Sequence, residues 1–215
     1  MHAIAGGLAT IALIWLFVAL ADEIPEHSAL VRLDTFVQRW IEAHGTEWGE
    51  KIFLLVSDIG APVLVAMVVG VALWFAWRRD WYRTLALTLT TGGGVALSTV
   101  LKSVFHRGRP ETATEFITRQ SWSFPSGHAM NSIIGYGFLV VLLLEHATGR
   151  GRRIGILIGA AILIGAIGFS RVYLGVHYMS DVAGGWIAGA AWLIVCVIGY
   201  RYAAGRRDEV TTARP

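Results

Sequence analysis

Six stretches of this chain contain no Asp, Glu, Lys or Arg and are long enough, or nearly so, to cross a bilayer. They run approximately Ala3–Ala21, Ile59–Trp77, Thr84–Leu101, Ser121–Leu144, Ile154–Ser170 and Val182–Tyr200. A helix needs about 20 apolar residues to span the hydrocarbon, so the two shortest stretches draw on flanking residues. In lipid every backbone N–H and C=O must be bonded internally, which leaves only helices and closed barrels. The stretches lack the period-two alternation of barrel strands. The sequence therefore predicts an all-α, polytopic membrane protein, with six transmembrane helices in one bundle and a single membrane-embedded domain over residues 1–215. Composition agrees: 55% of residues are hydrophobic and 15% charged, against about 25% charged in soluble chains. Gly92-Gly93-Gly94 and the many Ala and Gly residues of the fifth and sixth spans suit close helix packing.

The first span also ends in Ala19-Leu20-Ala21, which resembles a signal-peptide cleavage site. No Lys or Arg precedes it and its apolar region is longer than a signal core, so it is read as a retained span. The one cysteine, Cys196, lies within an apolar run and is read as a packing residue. No Cys/His pairs read as a zinc site, and nothing in the chain points to a nucleic acid.

Charge orients the bundle. One set of connections holds Arg78, Arg79, Arg83, Arg150, Arg152, Arg153, Arg201, Arg206, Arg207 and Arg214, ten basic residues in all. The opposite set holds eight: Arg32, Arg39, Lys51, Lys102, Arg107, Arg109, Arg119 and Arg171. On that side, residues 22–51 carry seven acidic residues against three basic ones. The positive-inside rule then places both termini in the cytoplasm, with Trp74, Trp77 and Trp81 in the cytoplasmic aromatic belt. Within 22–51, Leu30, Leu33, Val37, Trp40 and Ile41 recur at helical spacing. Two readings fit: an amphipathic helix on the outer membrane surface, or a helix packed on the bundle as cover. The polar residues from Gly205 onward read as a frayed end.

Three short strings carry the chemistry. Lys102-Ser-Val-Phe-His-Arg-Gly-Arg109-Pro110 ends the third span. Basic residues at a membrane boundary commonly snorkel, but these sit on the side the orientation rule leaves poor in them. A guanidinium binds phosphate bidentately and a lysine acts as a point charge. His106 and Arg107 share this loop and are read as solvated. Pro125-Ser126-Gly127-His128 opens the fourth helix. As a bland feature it is a helix start capped by Ser126. The same N-terminus favours an anion, and Gly127 lets that anion approach. Ser170-Arg171 closes the fifth span, and His177 and Asp181 open the sixth. A spacing of four puts both on one face if the stretch is helical, so that Asp181 can hold one ring nitrogen and leave the other outward. A structural His–Asp pair is the alternative. Cations, histidines, a carboxylate and a Ser-Gly turn are what phosphoryl transfer needs.

With Lys-x6-Arg-Pro, Pro-Ser-Gly-His and Ser-Arg-x5-His-x3-Asp complete and in order over residues 102–181, the chain resembles the type 2 phosphatidic acid phosphatase superfamily, in its membrane lipid phosphatase branch. That resemblance implies a lipid phosphatase in which His177 attacks phosphorus, Asp181 orients it, and His128 protonates the leaving oxygen. Lys102, Arg109, Ser126, Gly127 and Arg171 would hold the phosphoryl oxygens. It implies no metal or other cofactor and activity without magnesium. It further implies a lipid phosphate or diphosphate substrate of the polyprenyl diphosphate, phosphatidylglycerol phosphate, phosphatidic acid or lipid A type, polyprenyl diphosphate being the first choice. The expected setting is a bacterial inner membrane, with the site facing the periplasm or exterior. Two other enzymes fit the same motifs. One is a lipid phosphotransferase. The other is a vanadate-dependent haloperoxidase, which the six spans disfavour.

Overall fold

The computed structural model describes residues 2–24, 28–110 and 122–212. Arg119, Ser121 and Arg214, which entered the sequence reading, lie outside the described residues. Every regular element among the described residues is helical. In chain order these are α1 (His2–Asp22), α2 (Ala29–His44), α3 (Glu47–Asp58), a π-helical turn (Ile59–Val63), α4 (Leu64–Trp77), α5 (Trp81–Phe105), α6 (Gly127–His146), α7 (Arg150–Tyr173) and α8 (Met179–Thr212).

Among the described residues, six helical segments are long and apolar enough to cross a membrane: Ile4–Asp22, Glu47–Trp77, Trp81–Phe105, Gly127–His146, Arg150–Tyr173 and Met179–Arg206. The second differs from the expected Ile59–Trp77. It starts twelve residues earlier, because Glu47, Glu50 and Lys51 occupy the solvated first turns of a helix that continues through the π turn. Pro62 lies in that turn. Proline has no N–H to give to a helical ladder, and a widened turn accommodates it. There Tyr136 Oη donates to Ile59 O, 2.6 Å away, which ties the turn to α6. The C-terminus also differs: residues from Gly205, expected to fray, continue α8 as far as Thr212.

The helices α6 and α8 form the centre. They pack on each other; α1 covers α8, while α5 and α7 flank α6. Half of the apolar window of α6 is buried inside the protein, the largest share of any span. The outer helices instead expose Ile11, Trp15, Leu73, Leu89 and Ile162. An apolar surface of that extent suits hydrocarbon, not water.

Capping marks the ends that matter. Ser28 accepts from Val31 N and starts α2; Thr46 accepts from Gly49 N and starts α3. His106 ends α5 in the left-handed region at φ 44°, a conformation His adopts more readily than most residues. The chain turns there, and Arg107 and Arg109 reach the start of α8. At the opposite end of the bundle, Arg83 bridges Asp80 and Glu145, and Tyr200 Oη donates to Glu145. Trp74, Trp77 and Trp81 are exposed at that end.

Candidate active site

Four helix ends meet at the other end of the bundle: the C-termini of α5 and α7 and the N-termini of α6 and α8. Their junctions are fixed by backbone bonds. Ser126 N donates to Asp181 O at 2.9 Å, which fastens the start of α6 to the start of α8. Gly185 permits that approach, since a Cβ there would lie 2.6 Å from Ser126 O. Ser123 ties in the third strand of chain, with its N donating to Arg107 O and its Oγ to Gly108 O, both at 2.8 Å. After α7 the chain reverses through Gly175, at φ +66°, a region glycine adopts without the Cβ clash. Val176 N and His177 N both donate to Arg171 O at 3.2 Å.

His177 therefore sits on this turn, just before α8. It does not share a helix face with Asp181, as the spacing of four suggested. The pair still forms, because Asp181 lies in the first turn of α8 and its side chain folds back. His177 Nδ1 lies 3.3 Å from Asp181 Oδ2, which also accepts from Tyr178 N at 3.0 Å. Both side chains are almost fully buried. Arg109 Nη1 donates to Val176 O at 2.8 Å and lies 3.3 Å from His177 Nε2. One ring nitrogen thus faces a carboxylate and the other a guanidinium. Burial drives the His177 pKa down to about 4, although Asp181 pulls it upward. The ring is neutral at pH 7, and its Nε2 lone pair faces the cationic cup.

The remaining candidates gather around this ring. Arg171 is buried and donates from Nη1 to Ser57 Oγ at 2.5 Å; its Nε has no partner among the described residues. Lys102, in the last turn of α5, donates from Nζ to Trp122 O at 3.0 Å. Its Cε lies 3.8 Å from where a Cβ on Gly127 would be. His128, in the first turn of α6, lies within electrostatic reach of Arg171, His177, Lys102 and Arg109. The structure brings all eight sequence-predicted residues to one end of the bundle. Ser126 occupies the cap position of α6 but makes no capping bond; its buried Oγ has no partner among the described residues. A buried hydroxyl is ordinarily hydrogen-bonded. Ser126 Oγ and Arg171 Nε are thus two buried polar atoms at this junction with bonding capacity left over.

One expectation fails outright. Arg107 is not solvated. It is 10% exposed and bonds Asp181 Oδ1 and Ser180 Oγ, each at 2.6 Å, and Asp34 Oδ2 at 2.9 Å. Burial alone would lower its pKa; the carboxylates of Asp181 and Asp34 outweigh that and raise it. The sequence reading also missed Asp34, Gln38, Ser57 and Ser180. For Asp34 and Gln38 a signal existed. With Ile41 they follow an i, i+4, i+7 spacing, and all three are buried, so two polar residues lie on the inward face of an otherwise amphipathic helix.

Beside the site an apolar groove of about 450 Å³ opens between α4, α5 and α6. Leu64, Val68, Gly92, Val95 and Gly135 line it, and it runs up to Gly127 and His128.

Residues 81–204 match the sequence profile of the PAP2 superfamily. Over 149 residues the chain is 33% identical to phosphatidylglycerophosphatase B of Bacillus subtilis (strain 168), covering 66% of this chain and 70% of that protein. It is 32% identical over 120 residues to decaprenylphosphoryl-5-phosphoribose phosphatase of Mycobacterium tuberculosis, covering 53% of this chain and 57% of that one. The crystal structure of a transmembrane PAP2 type phosphatidylglycerolphosphate phosphatase from Bacillus subtilis superposes with a TM-score of 0.78 at 27% identity, covering 95% of this chain and 98% of that one. The crystal structure of Aquifex aeolicus LpxE superposes with a TM-score of 0.56 at 23% identity, covering 76% of this chain and 93% of that one, a likeness of fold.

Proposed function

The chain belongs to the PAP2 superfamily and is a multi-pass membrane lipid phosphatase, and we propose that it cleaves a lipid phosphate or diphosphate through a phosphohistidine at His177, on the extracytoplasmic side of a bacterial inner membrane. The observation that carries this reading is the orientation of His177. Asp181 occupies Nδ1, and Nε2 points toward Arg109. Phosphoryl transfer depends mainly on positioning and on charge placed where the oxygens will be.

In the first step Nε2 of His177 forms a bond to phosphorus, and the bond from phosphorus to the leaving oxygen breaks. His128 gives that oxygen its proton. Arg109, Arg171 and Lys102 hold the phosphoryl oxygens, and Ser126 Oγ and the amide end of α6 complete the cradle. In the second step His128 takes a proton from water as the water oxygen attacks phosphorus. The N–P bond breaks and inorganic phosphate leaves. The leftover bonding capacity of Ser126 Oγ and Arg171 Nε supports this assignment.

The groove that ends at His128 supports a substrate whose tail stays in the bundle wall while its head enters the cup. The names of the two curated relatives, one acting on a glycerophospholipid and one on a polyprenyl carrier, keep both tail classes open. Polyprenyl diphosphate stays our first choice, by family analogy. The arginine-rich end opposite the site supports a cup that faces outward.

Purified protein assayed against polyprenyl diphosphate, phosphatidylglycerol phosphate and phosphatidic acid tests the reading. Phosphate release in excess EDTA is expected, since side-chain cations carry the charge. No release from any of the three contradicts it, and release from the phosphomonoesters alone removes the diphosphate preference. Gly92 lines the groove, and a Cβ there meets nothing within 4 Å. Gly92→Phe is expected to raise KM about tenfold for a long-tailed substrate, the loss of roughly two buried methylenes, and to leave a short-chain phosphate ester unaffected. An equal rise for both substrates would place the tail elsewhere.

The low His177 pKa sets a pH dependence. A depressed pKa keeps the ring neutral, hence nucleophilic, down to its folded value. With substrate ionisation corrected separately, the acid limb of kcat/KM assigned to His177 is expected near pH 4, well below the ordinary histidine value of about 6.5. A limb at the ordinary value would mean that His177 is solvated in the working enzyme.

A further inference from the structure

We propose that Asp34, acting through Arg107, is a positioning residue for the Asp181–His177 pair, so that α2 at the rim of the site sets the geometry of the nucleophile. This rests on His177 being the nucleophile.

Arg107 divides its fork between two carboxylates. Nη1 serves Asp181 Oδ1 and Ser180 Oγ, while Nη2 serves Asp34 Oδ2. The guanidinium also lies over the Tyr178 ring, 4.3 Å from its centroid. Asp34 fixes the other side. Its Oδ1 accepts from Ser180 N at 3.0 Å, and its Oδ2 accepts a short bond from Ser180 Oγ. Ser180 adjoins Asp181, so Asp34 grips both the arginine that holds Asp181 and the backbone that carries it. A second contact reaches the nucleophile from the same helix: Gln38 Nε2 donates to His177 O at 2.9 Å.

The charges explain why a carboxylate stands at position 34. Asp34 is 1% exposed and Asp181 is fully buried. Packing α2 against α8 needs no buried ion, and an apolar contact there avoids the desolvation cost. Asp34 instead competes with Asp181 for one guanidinium. Without its charge, both arms of Arg107 can close on Asp181 as a bidentate pair. That would turn Oδ2 away from His177 Nδ1, a contact already 3.3 Å long. Held by both, Asp181 keeps one oxygen for Arg107 and one for the ring. Small displacements of this kind are costly, because misplacing a reacting group by about 1 Å can slow a reaction by about 100-fold.

Asp34 touches no substrate in this scheme, so its loss should slow phosphorylation without weakening binding. Asn is nearly isosteric and keeps an acceptor for Ser180 N. In rapid-quench measurements on the full-length protein in lipid vesicles, Asp34→Asn is expected to slow phosphoenzyme formation by about 10- to 100-fold, with KM within about threefold of wild type. Ser180→Ala, which removes only the bridging hydroxyl, is expected to slow it by about tenfold, at the lower end of that range, and serves if Asp34→Asn does not insert. Both effects should vanish in an Asp181→Asn background, because they act through Asp181; a merely structural role would add to it. A wild-type phosphorylation rate, a rise in KM at constant kcat, or full additivity with Asp181→Asn would overturn the positioning role. Retained turnover in His177→Ala would overturn the phosphohistidine reading itself, and the positioning role with it. An inactive His177→Ala alongside additive Asp34→Asn would remove only the latter.

Discussion

Replacing His177 with alanine is expected to abolish lipid phosphate hydrolysis, a fall on the order of 10⁶-fold, as when a covalent nucleophile is deleted elsewhere. The reason is local. Nε2 of this ring faces Arg109, and its other nitrogen is committed to Asp181. No other described side chain combines a lone pair, a fixed tautomer and a cationic surround at this junction. The neighbouring His128 makes no such pair with a carboxylate among the described residues, and its place is in the first turn of α6 beside the apolar groove. His128→Ala should therefore keep the phosphorylation site but lose proton transfer, a smaller effect of about 10²- to 10⁴-fold. Fluorescence-detected size exclusion would verify insertion of both variants. Turnover of His177→Ala within tenfold of wild type would show that water attacks phosphorus directly.

Asp181→Asn should be the next most damaging, by about 10³- to 10⁴-fold in kcat. A comparable loss follows when the carboxylate behind a catalytic histidine becomes an amide and the tautomer is wrong. Here the carboxylate does three things: it accepts from Tyr178 N, pairs with Arg107 and holds His177 Nδ1. Tyr178 N and the ring share Oδ2 while Arg107 takes Oδ1, so an amide either keeps its oxygen on the first two and turns its NH2 against Arg107, or keeps it on Arg107 and turns the NH2 against Tyr178 N and His177 Nδ1. It also lacks the negative charge that a phosphorylated, cationic His177 needs beside it. Expression and thermal stability should suffer less than turnover, because α8 is held elsewhere by α6 and α1. Measurement of kcat, KM and melting temperature on one preparation checks this; near-normal kcat would make Asp181 a structural residue only.

How much of this was legible in the sequence depends on whether the information was local. Charge-free stretches mark hydrocarbon directly, so all six spans were found. Their ends were less well placed. Glu47, Glu50 and Lys51 looked like connection but are the exposed first turns of a spanning helix. The same principle governed the site. Lys102, Arg109, Ser126, Gly127, His128, Arg171, His177 and Asp181 lie in short strings whose spacing is itself the signal. Arg107 lies in one of those strings and was still misread, because its meaning depends on Asp34, 73 residues away, across two membrane spans. Ser126 failed as a cap for a related reason: an N-terminal serine normally bonds the helix, and nothing local indicated that its Oγ would make no capping bond. The His177–Asp181 pair was anticipated through the wrong geometry. The spacing of four works because a turn delivers His177 to the first turn of α8.

The bond predicted between His177 and phosphorus can be observed directly. Brief exposure of the purified protein to a head-labelled lipid phosphate, followed by alkaline quenching and peptide mapping, should yield one labelled peptide containing His177. The label should be stable in alkali and lost in acid, and it should be absent from His177→Ala. Turnover at the normal rate with no label at any quench time, accompanied by inversion of configuration at phosphorus, would mean a single direct displacement and would contradict the account.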